Sequence, residues 1–256
     1  MKVTFIHHSS FLVECEDCIL LFDYFRGEKV PEMSFGGILP TFPPEKTIYV
    51  FASHMHRDHF DLEILKLAEI YPDVQYVFSK DIRLSENYLI KNQIDPQVKE
   101  KICFIKFNEQ IDLKGIHVET LKSTDEGVAF LVTVNGQTIY HAGDLNWWHW
   151  EGETDTFNAY QEETYKNQIS KIVDRDIHTA FVVMDGRLKQ QKFWGFDYFM
   201  KHVNAAHVFP MHLWKQFELI GLYKEQADAK VKTESILEVS GENQIFVLDE
   251  SARGIE

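Results

Sequence analysis

The sequence predicts an α/β fold in which two β-sheets pack together with helices outside. Three observations predict it. The first half is dense in β-branched and aromatic runs bounded by turn residues, and the second half alternates strand with helix signals. The third is size: 256 residues, 45% of them hydrophobic, suffice for one sizeable core. One domain over residues 1–256 is expected.

Strand patterns fall at 2–6, 10–14, 19–23, 47–52, 75–78, 102–105, 117–121, 128–134 and 138–141. Asn135-Gly136 is a strong two-residue hairpin turn between the last two. Helical periodicity starts at Asp61, ahead of Leu62, Leu65 and Ile70, and again over 81–91, ending near Pro96. A long polar helix is expected over 156–174, with Tyr160, Tyr165, Ile169 and Val173 along one side. Two βα-like units follow, 179–184 with 197–203 and 207–210 with 213–224, and a last strand at 244–248. Neither a fixed-period repeat nor a low-complexity tract is present.

Lys and Arg total 26 against 40 Asp and Glu, a net charge of −14. A surface that acidic repels nucleic-acid backbones, so no nucleic-acid partner is expected. The longest apolar runs are about five residues, against roughly 20 for a bilayer-spanning helix, so no membrane partner is expected. The N-terminus enters a strand at once, with no basic n-region or apolar h-region. Three cysteines without an export signal suit a reducing compartment, and a cytoplasmic protein is expected. Cys15 and Cys18 form a C-x-x-C, which could read as a redox or a zinc motif, but no second pair or nearby histidine completes it. Glu16-Asp17 between two strands places them at the flanks of a hairpin.

The informative segment is Ser53-His54-Met55-His56-Arg57-Asp58-His59, directly after the apolar strand 47–52. A compact loop at a strand end aims several side chains at one point. Neutral imidazoles suit zinc or iron, and a carboxylate offsets part of a dication's charge. H-x-H-x-D-H is far more specific than a lone histidine pair.

H-x-H-x-D-H after a strand resembles the signature of the metallo-β-lactamase superfamily. Three further segments match in order: Leu20-Leu21-Phe22-Asp23, His141-Ala142-Gly143-Asp144 and Phe209-Pro210-Met211-His212. The opening Ile6-His7-His8-Ser9-Ser10-Phe11 is similar to the ascorbate-phosphate-lactonase-like branch. The resemblance implies a four-layer αββα sandwich and a hydrolase that uses metal-bound hydroxide on an ester, lactone or phosphodiester bond of a small molecule. It implies one or two divalent transition-metal ions, zinc first, with manganese or iron as options. His54 and His56 would hold one ion, Asp58, His59 and His212 the other, and Asp144 would bridge them; Asp58 would also orient the nucleophile. Asp23 would accept the second N–H of a ligand histidine. The family's further histidine before Gly-Asp is missing here, where the chain reads Ser123-Thr124-Asp125-Glu126-Gly127. Asp125 or Thr124 is then the oxygen donor expected at the first site. A non-catalytic metal- or ligand-binding member, with a degenerate first site, is the alternative reading.

Other residues have two readings each. One of His7 and His8, His8 by motif position, is expected to face the metals as a catalytic, supporting or substrate group, with a satisfied core histidine the alternative. Trp147, Trp148 and Trp150 are expected to line a pocket or a core patch, and His149 to donate to a reacting oxygen or to a structural partner. Asp185 is expected to support a ligand, and Arg187 to anchor an anionic small-molecule substrate by its planar fork or to pair within the fold. Phe193-Trp194-Gly195-Phe196 reads as a pocket rim or as the surface of a homo-oligomer. The acidic stretch 151–174 reads as a solvated helix face.

Overall fold

A computed structural model describes residues 1–249. They fall into two units, Met1–Lys106 with Glu242–Leu248, and Phe107–Gly241. Each unit is organised around one mixed sheet.

In the first unit the strands are β1 (Lys2–His7), β2 (Ser10–Glu14), β3 (Cys18–Phe22), β4 (Thr47–Ala52), β5 (Val74–Ser79), β6 (Ile102–Ile105) and, from the far end of the chain, β13 (Gln244–Val247). Their order is β13-β1-β2-β3-β4-β5-β6. The pairs from β13 to β3 are antiparallel, and those from β3 to β6 are parallel. β3 and β4 have no exposed residue on either face, which is why they read as continuous apolar runs rather than alternating ones. Ile19, Leu21, Ile48, Val50, Ala52, Tyr76 and Phe78 form one buried cluster with Leu62, Ile64 and Leu65 from a turn of 3₁₀ helix. Phe22 and Phe51 stack on the other face, with centroids 4.7 Å apart. Each such side chain stabilises the fold by about 1.5–3 kcal/mol through burial.

The second sheet is built from β7 (Gln110–Leu113), β8 (Ile116–Lys122), β9 (Val128–Val134), β10 (Gln137–His141), β11 (Ile177–Val183) and β12 (Ala205–Met211), in the order β12-β11-β10-β9-β8-β7. It repeats the logic of the first: antiparallel from β7 to β10, then parallel from β10 to β12. The two sheets with accompanying helices match the α/β class expected from the sequence. β7 was not expected; its alternation of exposed and half-buried residues is only four long, too short to register.

The helices differ most from expectation. The signal at Asp61 becomes 3₁₀ helix over Leu62–Lys66 and a single turn, α1 (Leu67–Ile70), closed off ahead of Pro72. α2 (Glu86–Lys91) starts five residues later than predicted because the Ser85 hydroxyl, not Asp81, accepts the Tyr88 N–H. α3 (Asp155–Ser170) is capped by the Thr154 hydroxyl at the Phe157 N–H. α4 (Trp194–His202) begins three residues early. α5 (Glu218–Gln226) begins five residues late, since Trp214 and Lys215 have φ of 49° and 63°, which a right-handed helix of L-residues does not contain.

The buried face of α3 corrects the sequence reading. Tyr160 is 53% exposed, and Tyr165 and Ile169 are buried together with Asn158, Gln161 and Gln168. The amides are buried because each is hydrogen-bonded. Asn158 accepts from the Trp150 N–H at 3.0 Å and donates to the Trp150 carbonyl at 3.1 Å. Gln161 donates to the Thr124 carbonyl at 3.1 Å, and Gln168 accepts from the Lys122 N–H at 3.1 Å. α3 therefore fixes the loops around residues 124 and 150, a task invisible to hydrophobic periodicity. Among the described residues no helix is long and apolar enough to cross a membrane.

Candidate metal centre

In both sheets the residues singled out from the sequence follow the C-terminal ends of strands near the point where antiparallel pairing gives way to parallel. Asp23 follows β3, and Ser53 and His54 follow β4; Asp144 lies beyond β10, Asp185 beyond β11, and His212 directly after β12. In open α/β sheets, ligands bind in the space outside the carboxyl ends of the strands.

The first unit gathers His8, Asp23, His54, His56, Asp58 and His59. Asp23 is fully buried, with φ of 45°. Its Oδ1 accepts the Ser53 N–H at 2.7 Å, and its Oδ2 accepts the Ser53 hydroxyl at 2.6 Å. Oδ2 also lies 2.8 Å from Nδ1 of His59, the contact expected for this aspartate. A carboxylate accepts only, so His59 carries its proton on Nδ1, and Nε2 is its lone-pair nitrogen. With its own proton given to Asp23, the Ser53 oxygen accepts from Nδ1 of His54 at 2.9 Å. One buried carboxylate thus sets the tautomers of two histidines.

Nε2 of His54 lies 3.0 Å from Nδ1 of His56. That is close to the spacing of about 3.3 Å between two nitrogens on a tetrahedral zinc with bonds of 2.0–2.1 Å. The loop is wound tightly, with the His59 and Phe60 N–H groups both donating to the His56 carbonyl. Asp58 Oδ2 lies 3.3 Å from His8 Nε2 and 3.9 Å from His59 Nε2. Donor atoms of His8, Asp58 and His59 all lie within 4.8 Å of one another. His8 reaches this place because the β1–β2 register slips between Phe5 and His7, and because its own φ is 50°. His7 does something else: its ring nitrogens meet the Phe25 carbonyl at 2.9 Å and the Gly37 N–H at 3.2 Å.

The second unit gathers Asp125, Asp144, Asp185 and His212. His212 is buried, with φ of 62°. Its Nδ1 lies 2.9 Å from Asp185 Oδ2 and its Nε2 3.4 Å from Asp144 Oδ1. Asp185 is the counterpart of Asp23: fully buried and fixing a histidine through Nδ1. Burial pushes its pKa up, but hydrogen bonds from His212 and Arg187, together with the Arg187 charge, outweigh that and hold it well below the usual carboxylate range. Arg187 grips it with Nε at 2.9 and 3.0 Å and Nη2 at 2.6 Å, and Trp214 Nε1 adds a bond at 3.3 Å. The guanidinium lies 4.5 Å over the Trp214 ring and 5.6 Å over that of Trp150. Of the two readings of Arg187, the pairing within the fold is present.

Asp125 is exposed, yet a carboxylate oxygen of it lies within 4.8 Å of one of Asp144. Thr124 makes that approach possible: its hydroxyl donates to the Asn146 carbonyl at 2.6 Å and accepts the Asn146 N–H at 2.9 Å. The Thr124 oxygen is thereby a tie between loops, and it is the Asp125 carboxylate that is carried beside Asp144. Trp148 donates to the Asp144 carbonyl at 2.9 Å, stacks on Trp150 and sets its ring edge-on to His212 at 5.7 Å. Trp147 and His149 instead lean on Trp194, at 5.1 and 4.8 Å. Phe193 and Phe196 are buried, so of that segment only Trp194, 39% exposed, presents a surface.

Sequence reasoning missed two residues here. Ser53 was visible only as the residue ahead of the first histidine; the parallel register Phe22↔Phe51, which carries it beside Asp23, was the signal. Trp214 had none, because its position depends on the left-handed turn after His212.

Residues 2–153 match the sequence profile of the Beta-lactamase superfamily domain. The chain belongs to the metallo-β-lactamase superfamily. It is 27% identical over 154 residues to a UPF0173 metal-dependent hydrolase of Methanosarcina barkeri, covering 56% of this chain and 61% of that protein. A UPF0173 metal-dependent hydrolase of Desulforamulus reducens is 26% identical over 148 residues, covering 56% and 62%. The match thus spans less than two thirds of these relatives' own length. A novel metallo hydrolase from the hyperthermophilic archaeon Ignicoccus hospitalis shares the fold with a TM-score of 0.57 at 18% identity, over 97% of this chain and 99% of that one.

Proposed function

We propose that this protein is a metal-dependent hydrolase. Its divalent ions, one or two per chain, would be held by His54, His56, Asp58, His59, Asp144 and His212. Asp125 would stand in for the family's missing histidine, and His8 would be placed against Asp58. The observation that carries this reading is the pair of buried carboxylates. Asp23 and Asp185 each hold a histidine by Nδ1 and leave Nε2 as the lone-pair nitrogen. Carboxylate–histidine pairs of this kind orient metal ligands and raise their basicity. Imidazole nitrogens with carboxylate oxygens suit zinc, and equally manganese or iron, so the donor set fits the ion.

A divalent ion in such a site would supply Lewis acidity and favour hydroxide chemistry near neutral pH. The chain's own groups do the rest. Asp58, 15% exposed, accepts and orients a water proton. His8, buried beside it, fixes that carboxylate. Trp148 packs edge-on against the His212 ring. Arg187 acts through Asp185, holding His212 in place. The substrate class that suits this chemistry is a small molecule with an ester, lactone or phosphodiester bond, and the opening motif's similarity to the lactonase-like branch favours a lactone or a phosphorylated small molecule.

The test is turnover of a panel of small esters, lactones and phosphodiesters by chelator-stripped protein, before and after restoring zinc, manganese or ferrous iron. Metal-dependent hydrolysis that disappears in His56→Ala supports the reading. Tight metal binding with no turnover of any class would favour the non-catalytic alternative.

A further inference from the structure

Among the described residues and outside the candidate ligands, the fold brings the thiols of Cys15 and Cys18 face to face. Cys15 and Cys18 close the β2–β3 hairpin. The register Glu14↔Ile19 runs on to set Cys15 directly opposite Cys18, and the Cys15 N–H donates to the Cys18 carbonyl at 2.9 Å. Directly opposed residues share one face of a sheet. Their Cα atoms in a hydrogen-bonded pair are about 5.5 Å apart, within the span that a disulfide bridges. The two thiols are close enough that each shifts the ionisation of the other. Both side chains are buried, while Glu16 and Asp17 of the intervening turn are exposed. Cys103 lies on β6, three strands from β3 in the sheet order, roughly 14 Å away at the usual strand spacing, and competes for neither.

We propose that Cys15 and Cys18 are a reversible redox pair that forms a disulfide across the hairpin by exchange with a low-molecular-weight disulfide. Cys18 is the attacking group: the neighbouring Cys15 thiol lowers its pKa against the opposing effect of burial, and Cys15 is raised in turn. Lys46, whose Nζ donates to the Cys15 carbonyl at 2.6 Å, adds positive charge beside both. The Cys18 thiolate bonds to one sulfur of the small disulfide, whose S–S bond breaks, and the expelled thiolate takes a proton. With Cys18 capped, Cys15 loses the partner that raised it. Its sulfur then bonds to the Cys18 sulfur and expels the second small thiol, which carries off the Cys15 proton. Two protein thiols are oxidised to one disulfide, and one small disulfide is reduced to two thiols. The closed loop holds only Glu16 and Asp17, so cross-linking gains little from loop entropy. The pair is suited to switching rather than to stapling.

The experiment equilibrates the full chain with oxidised and reduced glutathione at a series of ratios, blocks remaining thiols by alkylation, and reads intact mass and peptide maps. Two of the three thiols should be lost together, with a loss of about two mass units and a Cys15–Cys18 link. Cys103→Ser should oxidise as the unsubstituted chain does. Cys15→Ser should trap one glutathione on Cys18, and Cys18→Ser should leave Cys15 alkylatable. Circular dichroism of each variant checks that the hairpin is folded. Three alkylatable thiols at every ratio, or glutathione that stays on Cys18 in the unsubstituted chain, would overturn the proposal.

Discussion

Asp23 Oδ2 stands 2.8 Å from Nδ1 of His59 and 2.6 Å from the Ser53 hydroxyl, whose oxygen in turn meets Nδ1 of His54 at 2.9 Å. A single carboxylate at the end of β3 therefore fixes two imidazoles on the loop after β4. Removing it should release both. Asp23→Ala is expected to weaken metal binding about 10–100-fold, read by competition with a chromophoric chelator. Ser53→Ala touches only the His54 arm and should cost less. Equal losses in the two variants would contradict the shared-anchor account.

Asp185 has a folded pKa below its unfolded value. The stability it contributes is complete above the ordinary carboxylate range and is lost as pH falls through the folded value. Arg187→Ala removes part of the cause, raises the folded value and should move acid unfolding to higher pH. Arg187→Lys should rescue poorly, because an ammonium cannot reproduce the planar fork. Melting temperatures from pH 7 to pH 3 for the three proteins make the comparison.

Asp61 is fully buried, caps the 3₁₀ turn by accepting the Glu63 N–H, and pairs with Arg26 at 2.6 Å. Burial pushes its pKa up, but the hydrogen bonds and charges of Arg26, Glu63 N–H and Lys29 lower it overall. Asp61→Ala should destabilise by about 0.5–2 kcal/mol from the cap alone. Because the folded pKa is depressed, the deficit should be full at neutral pH and shrink as the pH falls through that value. Urea unfolding at pH 7 and at pH values stepped down below the ordinary carboxylate range reads both.

Asp125 is exposed and sits beside Asp144. As the oxygen donor replacing a histidine, it should be needed for one ion and not for folding. Asp125→Ala is expected to leave the melting temperature of the chelator-stripped protein unchanged while about one ion per chain becomes easy to remove. Unchanged metal retention would show that Asp125 is not a ligand.

Much of this was legible in the sequence because it rests on short-range pattern. The apolar runs of β3 and β4, the Asn135-Gly136 turn and H-x-H-x-D-H each declare themselves within a few residues. Asp23 was readable as a support through the resemblance of Leu20-Leu21-Phe22-Asp23 to the family, and Asp185 because it lies just beyond a buried strand. What was not legible depends on contacts distant in sequence. The buried amides of α3 look like a solvated face until Trp150, Thr124 and Lys122 are set against them. The late start of α5 follows from the left-handed residues after β12, which composition does not mark. The grip of Arg187 on Asp185 and the bulge that turns His8 toward Asp58 belong to the same class.

The central claim is that the histidines and carboxylates at these strand ends are metal ligands. The most direct measurement is the elemental metal content per chain of protein purified without chelator or added metal. The account predicts at least one divalent transition-metal ion per chain, two where Asp125 completes the first site, with stoichiometry falling in His56→Ala. No bound metal, and none taken up on dialysis against zinc, manganese or ferrous iron, would contradict it.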